Sequence, residues 1–203
     1  MDLDEQFGNI DIYLFDQILR RRIAPGDRIV DAGCGFGRNL VYLLREGYEV
    51  HGADADADAI AEVRALAARL APALPSANFR LEPLEQLSFP ERWASVVISS
   101  AVLHFARDDA HFEAMLEGSW RPLASGGMFF CRLASTIGIE TQVQRIGSEG
   151  RRHRLPDGTA RYLVDEPLLL ALTQRLGGKL LDPLKTTVVQ GQRSMTTWVL
   201  RKD

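Results

Sequence analysis

Lysine is scarce in this sequence. Of its 24 basic residues, only Lys179, Lys185 and Lys202 are lysines. The chain before Lys179 therefore offers no amine for a Schiff base and no lysine for a phosphate-binding loop. The P-loop pattern that ends in Gly-Lys-Ser/Thr is missing as well. Lysine-based covalent catalysis and P-loop nucleotide hydrolysis are excluded for that part of the chain.

Cysteines are also few, and no long apolar run occurs. Cys34 and Cys131 fall in different segments and indicate no disulfide framework, which favours a reducing compartment. No run approaches the roughly 18 apolar residues of a transmembrane helix. The start of the chain, Met1-Asp2-Leu3-Asp4-Glu5, lacks the basic character of a secretory signal. We therefore expect a cytoplasmic protein without membrane contact.

Positive charge is not in excess. The formal net charge is −3 and no basic tail is present, so broad nucleic-acid binding has no electrostatic support. Apolar residues make up 46% and charged residues 25% of the 203 residues, as in soluble globular proteins. We expect a single domain over residues 1–203, with a helical segment at 1–24 and an insertion at about 135–162.

Helical and strand patterns alternate along the chain, which predicts an α/β domain with a mostly parallel sheet. Asp56 or Asp58 can cap the third helix, which ends before Pro72. Within the insertion, Pro156-Asp157-Gly158 is a turn signal that indicates a β-hairpin. The other predicted helices cover residues 10–22, 37–46, 109–120 and 166–176, and the predicted strands cover 28–32, 49–53, 78–81, 94–99, 128–133, 180–189 and 195–200.

A glycine-rich loop follows the first predicted strand, where a strand should lead into a helix. Gly33 permits a tight turn, Gly35 lets a ligand approach the backbone, and Gly37 lets the helix begin close to the sheet. Asp54 falls 21 residues after Gly33, at the end of the second strand. A carboxylate at that place can accept both hydroxyls of an adenosine ribose, so the pattern predicts a nucleoside-containing ligand.

The spacing around the loop distinguishes between nucleotides. A dinucleotide fingerprint needs a third glycine at position 38, which is Arg38. Asp31, just before the loop, would repel a pyrophosphate but suits an ammonium group. S-adenosylmethionine carries an ammonium and a sulfonium and no phosphate. The charge pattern therefore favours it over NAD, and an NAD-dependent oxidoreductase is the weaker alternative.

With these residues the sequence resembles the class I S-adenosylmethionine-dependent methyltransferases over most of its length. Segment 31–37 matches their first motif and Asp54 their ribose-binding acid. Three further segments are similar to the family's later motifs. They are Glu85-Gln86-Leu87-Ser88-Phe89, Val96 to His104 and Leu123-Ala124-Ser125-Gly126-Gly127. Within the family, the sequence is similar to the tellurite-resistance methyltransferases at three segments, Gly37-Arg38-Asn39, Tyr42-Leu43 and Gly47-Tyr48-Glu49-Val50.

The resemblance implies a Rossmann-like three-layer sandwich whose seven-stranded, mostly parallel sheet has an antiparallel last strand. It implies that S-adenosyl-L-methionine is the cofactor and S-adenosyl-L-homocysteine the product. The family's adenine-binding acid falls on Pro83, flanked by Glu82 and Glu85, which leaves the Leu84 N–H as an adenine contact. The implied cofactor residues are Asp31, Gly33, Gly35, Gly37, Asn39, Asp54, Ala55, Leu84 and Ser99.

Four further residues have two readings each. Tyr13 can face the sulfonium or belong to the core of the first helix. His104 can act as a general base or form a polar wall of the site. His104 and His111 could share a helix face, but without a third ligand they predict no metal site. Cys34 is a small packing residue or, less in keeping with its place, a nucleophile.

The predicted function is methyl transfer from S-adenosylmethionine to a small molecule, with an anionic or metalloid acceptor favoured. The arginines of the insertion could bind such an anion or could form a solvated hairpin face. RNA or protein methylation and a non-catalytic S-adenosylmethionine-binding protein are the alternatives. The protein is expected to be a monomer or homodimer. The five arginines of the insertion are Arg145, Arg151, Arg152, Arg154 and Arg161.

Overall fold

The computed structural model describes residues 2–148 and 150–203. Met1, in the predicted N-terminal helical segment, and Glu149, in the predicted insertion, lie outside the described residues. Within the described part of the chain, no helix has the length and apolar character that a bilayer-spanning helix requires.

A twisted central sheet organises the chain. Its strands are β1 (Arg28–Ala32), β2 (Glu49–Asp54), β3 (Phe79–Leu81), β4 (Ala94–Ser100), β5 (Leu123–Ala134), β9 (Gly178–Leu180), β10 (Lys185–Val189) and β11 (Arg193–Lys202). They lie in the order β10-β11-β5-β4-β1-β2-β3, with β9 also paired to β11. Strands β1 to β5 run parallel, and β11 is antiparallel to β5. The predicted mostly parallel sheet with an antiparallel last strand is therefore confirmed.

Helices cover both faces of the sheet because neighbouring strand residues point to opposite sides. Ile29 belongs to one apolar cluster and Val30 to the other. The same alternation separates Val96 from Val97 in β4. The helices are α1 (Leu3–Phe7), α2 (Ile12–Leu19), α3 (Val41–Arg45), α4 (Ala57–Leu70), α5 (Asp109–Trp120) and α6 (Glu166–Arg175). Helices α2, α3 and α4 pack on the Ile29 side, and α5 and α6 pack on the Val30 side.

Element ends differ from the predictions where a polar side chain or a proline intervenes. Helix α2 begins only at Ile12 because the Asp11 carboxylate accepts the Tyr13 N–H and caps it. Asp56 caps α4 by accepting from the second and third helical N–H groups. The strand predicted over 180–189 is interrupted between β9 and β10, where Pro183 can donate no ladder hydrogen bond.

A small antiparallel sheet lies in the region of the predicted insertion. Its strands are β6 (Gln144–Arg145), β7 (Arg152–Arg154) and β8 (Ala160–Tyr162), in that order. The turn between β7 and β8 contains Pro156-Asp157-Gly158 and closes with a Leu155 N–H to Thr159 carbonyl bond of 2.8 Å. Tyr162 stacks on Phe112 of α5 at 4.5 Å between ring centroids. This stacking holds the small sheet over the carboxyl ends of β4 and β5.

Candidate active site

The glycine loop, residues 33–37, is tied to the second strand. The N–H groups of Gly33 and Cys34 both donate to the Ala53 carbonyl, at 2.8 and 3.0 Å. Gly33 has φ +83°, and a Cβ there would lie 2.5 Å from a methyl of Val102. Gly35 has φ +50° and no atom within 4 Å of its would-be Cβ. Gly33 is therefore required by packing, whereas Gly35 opens onto free space.

That free space is a cavity of about 400 Å³, which we name the glycine cleft. Gly33, Gly35, Asn39 and Asp54 line it. A side cavity of about 210 Å³ shares Gly33 and Asp54 and extends past Ala55 and Leu84. Six of the nine predicted cofactor residues thus line two neighbouring cavities that share Gly33 and Asp54.

The other three, Asp31, Gly37 and Ser99, do not line these cavities. The hydrogen that replaces the side chain of Gly37 faces Val63 and Leu66 of α4, within 2.9 Å of where a Cβ would be, so this glycine serves packing. Ser99 is fully buried, and its hydroxyl has no hydrogen-bond partner within the described residues. The wall of the cleft is formed instead by the next two residues, Ser100 and Ala101.

Asp54 holds the loop in place with both carboxylate oxygens. Oδ2 accepts the Gly35 N–H at 2.8 Å, and Oδ1 accepts the Asp56 N–H at 3.0 Å. Each oxygen keeps a lone pair, and the side chain is only half-buried. Asp54 therefore has two roles in the same place, since it orders the glycine loop and presents acceptors to the cleft.

Asp31, at the end of β1, is a buried carboxylate without a partner. It is 1% exposed, and neither oxygen has a hydrogen bond within the described residues. Desolvation raises the pKa of Asp31 from 3.8 to about 7; the nearby Arg38 lowers it and Asp54 raises it further. A carboxylate in such a site is expensive unless a cation reaches it. The ionised form of Asp31 is therefore stabilised only by a positive charge placed close to it.

The side cavity ends at a second carboxylate. Glu85 lies there 3.3 Å from the Nε2 atom of His111, whose Nδ1 accepts the Arg107 N–H at 3.1 Å. Glu82, by contrast, turns away and accepts the Ser88 N–H and hydroxyl at 2.8 and 2.5 Å. Of the two acids that flank Pro83, Glu85 is the one at the cavity.

A second large cavity, about 400 Å³, adjoins the glycine cleft, and we name it the arginine cavity. The two cavities share Arg38 and Ala101. Its other arginines come from three separate elements, β5, β8 and β11, and are Arg132, Arg161 and Arg193. Sequence reasoning had only Arg161 among its candidates. Arg132 carried a signal, because a charged residue within the apolar run of β5 requires a special environment.

The Asp11 carboxylate joins the N-terminal segment to both cavities. Its Oδ2 accepts from Arg132 Nη1 at 3.1 Å and from the Ser100 hydroxyl at 3.2 Å, and it lies 3.8 Å from Arg38 Nη2. The Asp11 N–H donates to Asn39 Oδ1 at 3.0 Å. The side-chain carbonyl oxygen of Asn39 is thus already engaged by a hydrogen bond within the protein. This network fixes the arginine side chains where the cavities meet.

Tyr13 lies beside this network and lines neither the glycine cleft nor the arginine cavity. Its hydroxyl bonds the Thr187 hydroxyl at 2.6 Å. The Arg132 guanidinium lies 5.2 Å and the Lys185 ammonium 5.7 Å from its ring centroid. The ring face is therefore occupied by cations of the protein.

His104 lies on the wall of the arginine cavity and is 7% exposed. Its Nδ1 accepts the Ala134 N–H at 3.3 Å, so the neutral ring carries its proton on Nε2. Burial lowers the pKa of His104 to about 4, assisted by the positive charges of Arg161 and Arg132. At neutral pH this imidazole is uncharged and available as a hydrogen-bond donor.

The two cysteines lie in the core. Cys34 and Cys131 are both buried, and burial raises the pKa of each thiol well above its ordinary value. The thiolate is the nucleophilic form of cysteine, so this environment disfavours reactivity. The geometry of Cys34, packed against Gly52 below the glycine loop, is that of a small packing residue.

Comparisons with known proteins agree with this geometry. Residues 29–127 match the family model of the methyltransferase domain. An uncharacterized methyltransferase of Synechocystis sp. is 31% identical over 107 residues, which are 53% of this chain and 47% of the relative. The aligned region thus spans about half the length of that curated relative.

Two solved structures share the fold. A SAM-dependent methyltransferase from Methanosarcina mazei has a TM-score of 0.73 at 20% identity, covering 91% of this chain and 96% of that one. The 1,6-didemethyltoxoflavin-N1-methyltransferase of Burkholderia thailandensis, solved with 1,6-didemethyltoxoflavin and S-adenosylhomocysteine, has a TM-score of 0.68 at 19% identity, covering 91% and 75%. At these identities the likeness establishes the fold. Residues 29–127 are, in addition, similar in sequence to the methyltransferase domain family.

Proposed function

We propose that this protein transfers a methyl group from S-adenosylmethionine, bound in the glycine cleft and side cavity, to a small molecule bound in the arginine cavity. One observation carries the proposal. The two cavities share Arg38 and Ala101, so a ligand in one cavity could touch a ligand in the other there. The junction lies at the carboxyl ends of β1 and β4, where ligands of open α/β sheets bind.

The residues of the cleft fit the cofactor's charges. Asp31 offers a buried carboxylate without a partner for the ammonium, and the open space over Gly35 admits the methionine part. Asp54 has free lone pairs for the ribose hydroxyls. Leu84 and Glu85 line the end of the side cavity, where an adenine and its amine would lie. When bound, the cofactor supplies a methyl group already activated by its sulfonium.

The protein's own role is then to align the methyl group with the acceptor and to enclose both reactants. Holding two reactants in a near-attack geometry can contribute about 7–11 kcal/mol toward the barrier. Arg38 and Ser100 are fixed at the junction by Asp11, so the floor of the reaction site is rigid. His104, with its proton on Nε2, is a donor that can orient an acceptor oxygen. This protonation state favours an orienting role over that of a general base.

A small-molecule acceptor is supported by the shape of the cavity. Ligand pockets hold roughly 300–1,000 Å³, and the arginine cavity, at about 400 Å³, lies in that range. Its arginines surround a hollow and form no extended basic stripe of the kind that tracks a nucleic acid. The Burkholderia neighbour, solved with a small heterocycle, has the same fold. The similarity to the tellurite-resistance group and the cytoplasmic location remain predictions.

Calorimetric titration with S-adenosylhomocysteine, followed by a small-molecule acceptor screen that measures its release, tests the proposal. Gly35→Val should abolish binding because the new side chain fills the cleft. Gly26→Val is the matched control, since Gly26 also has positive φ (+92°) and open space but lies in a turn before β1. Equal losses in both variants, or wild-type protein that does not bind S-adenosylhomocysteine, would refute the proposal.

A further inference from the structure

We propose that the acceptor is an anion whose carboxylate or phosphate group is bound by Arg161 and Arg193, with Arg132 as a third ligand. This inference rests on the proposed function, since it names the class of molecule held in the arginine cavity. It depends on the charges of that cavity and on how each guanidinium is already engaged.

The cavity is positive in a protein that is negative overall. Four arginines line it against one carboxylate, Asp157, whereas the whole chain has a formal charge of −3. Four guanidinium groups around one hollow repel one another, and a concave wall of low dielectric strengthens that potential. A bound anion would relieve this repulsion. A solvated arginine on a flat surface would not need such an anion.

Two of the arginines are engaged by the protein. Arg38 donates to the Ser100 hydroxyl and the Asn9 carbonyl, at 3.0 and 3.3 Å. Arg132 donates Nη1 to Asp11, while its Nε is buried without a hydrogen bond within the described residues. A buried donor without a partner costs free energy that a ligand oxygen would recover. The Arg38 guanidinium is therefore held by the protein itself, whereas Arg132 has one N–H donor, Nε, that a ligand could bind.

The other two arginines have most of their donors free. Arg161 lies 4.8 Å over the ring of Phe105 and donates one N–H to the neighbouring Ala160 carbonyl. The Arg193 guanidinium makes no hydrogen bond, and neither Arg161 nor Arg193 makes an ion pair, within the described residues. Planar guanidinium forks of this kind match carboxylate and phosphate oxygens in pairs.

Two other groups in the cavity report the same positive potential. Asp157 has a lowered pKa, chiefly through its bonds with Thr159 and further through Arg161 and Arg193. The two free arginines thus already act on the carboxylate that is nearest to them. His104 has a lowered pKa, first through burial and then through Arg161 and Arg132. The cavity therefore favours negative charge at both its rim and its wall.

Calorimetry on the full chain saturated with S-adenosylhomocysteine tests the inference, with succinate, inorganic phosphate and the neutral succinamide as probes. We expect millimolar or tighter binding of succinate, phosphate or both, and none of succinamide. Arg193→Gln and Arg161→Gln should each weaken anion binding roughly tenfold or more. Arg145→Gln, an exposed arginine of β6 outside the cavity, is the control and should change nothing. The Arg193 side chain has no hydrogen bond or ion pair within the described residues to lose, so its variant should fold normally.

The outcomes separate the two proposals. Binding of succinate alone or phosphate alone assigns the anion to a carboxylate or a phosphate. Failure of S-adenosylhomocysteine to bind defeats the proposed function itself. Normal S-adenosylhomocysteine binding with no anion binding, with equal binding of succinamide, or with unchanged affinity in both arginine variants overturns only the anionic acceptor.

Discussion

Replacement of Asp31 by asparagine should stabilise the ligand-free protein and weaken its binding of S-adenosylmethionine. The carboxylate is buried without a partner, and desolvation raises its pKa from 3.8 to about 7. Three pKa units correspond to about 4 kcal/mol of differential stability. Because the folded pKa is the higher one, the folded state binds more protons between pH 4 and pH 7, and wild-type stability falls as pH rises through that window.

The difference between wild type and Asp31→Asn isolates this carboxyl group, since all other titrating groups are the same in both proteins. Near pH 4 the protonated acid and the amide are alike, so the two free energies of unfolding should agree. At pH 8 the variant should be more stable by about 3–4 kcal/mol. Urea unfolding at both pH values measures this. A difference that does not change with pH would refute the burial of an ionised Asp31.

The substitution that stabilises the ligand-free protein should weaken its affinity for S-adenosylmethionine. An ammonium paired with Asp31 would gain a charged hydrogen bond worth about 1.5–3 kcal/mol, so the variant should bind roughly 10- to 150-fold more weakly. Wild-type binding near pH 7 should also release protons, which titration in two buffers of different ionisation enthalpy detects. Asp58→Asn, on the exposed first turn of α4, is the control. Unchanged affinity in Asp31→Asn would remove Asp31 from the site.

Three other substitutions probe the cleft. Gly33→Ala should lower both stability and S-adenosylhomocysteine affinity, because its Cβ would meet Val102 at 2.5 Å and its φ is +83°; thermal unfolding and calorimetry measure the two losses. Asp54→Ala should weaken S-adenosylhomocysteine binding at least tenfold, since both carboxylate acceptors proposed for the ribose and the Gly35 hydrogen bond are lost. Calorimetry measures the affinity, and circular dichroism should show that the protein stays folded. Glu85→Gln should reduce the preference for S-adenosylhomocysteine over S-inosylhomocysteine, which lacks the adenine amine, by roughly tenfold in competition calorimetry.

The substitutions of Asp54 and Glu85 each have a nearby control. Glu82→Gln changes an acid bonded to Ser88 and should keep the adenine preference. Asp56→Ala removes the α4 cap, which costs about 1 kcal/mol of stability, without removing an acceptor from the cleft. If Glu82→Gln loses the preference and Glu85→Gln retains it, the adenine assignment is wrong. If Asp54→Ala binds as wild type does, the ribose assignment fails.

Much of the fold follows from periodicity alone. The apolar run of β4 and the spacing in α5 locate both elements, and the α5 bounds of 109–120 match the prediction. The sequence placed α1 only within the broad helical segment 1–24 and gave no bounds for it, because a five-residue helix is too short for a periodic signal. It also joined β9 and β10 across Pro183. There a tertiary contact, Asp182 with Arg22 at 2.7 Å, accompanies the interruption of the strand.

The cleft was more predictable than the cavity beside it, for a physical reason. Gly33, Gly35 and Asp54 belong to adjacent strand ends, and their backbone requirements are fixed by local geometry. Gly37 faces α4, and the sequence cannot show this because a loop glycine facing a helix has the same sequence signal as one facing a ligand. The role of Asp31 in binding the cofactor stays a prediction.

The arginine cavity could not be read from sequence because its charges converge only through topology. Arg132, Arg161 and Arg193 are far apart in the chain, and two of them resemble ordinary solvated residues until β5, β8 and β11 come together. Once assembled, the charges separate across the junction at Arg38, with Asp54 lining the glycine cleft and the free arginines lining the arginine cavity. A cationic donor and an anionic acceptor would each be disfavoured in the other's cavity. The same field that selects the ligands would therefore also set which of them occupies which side.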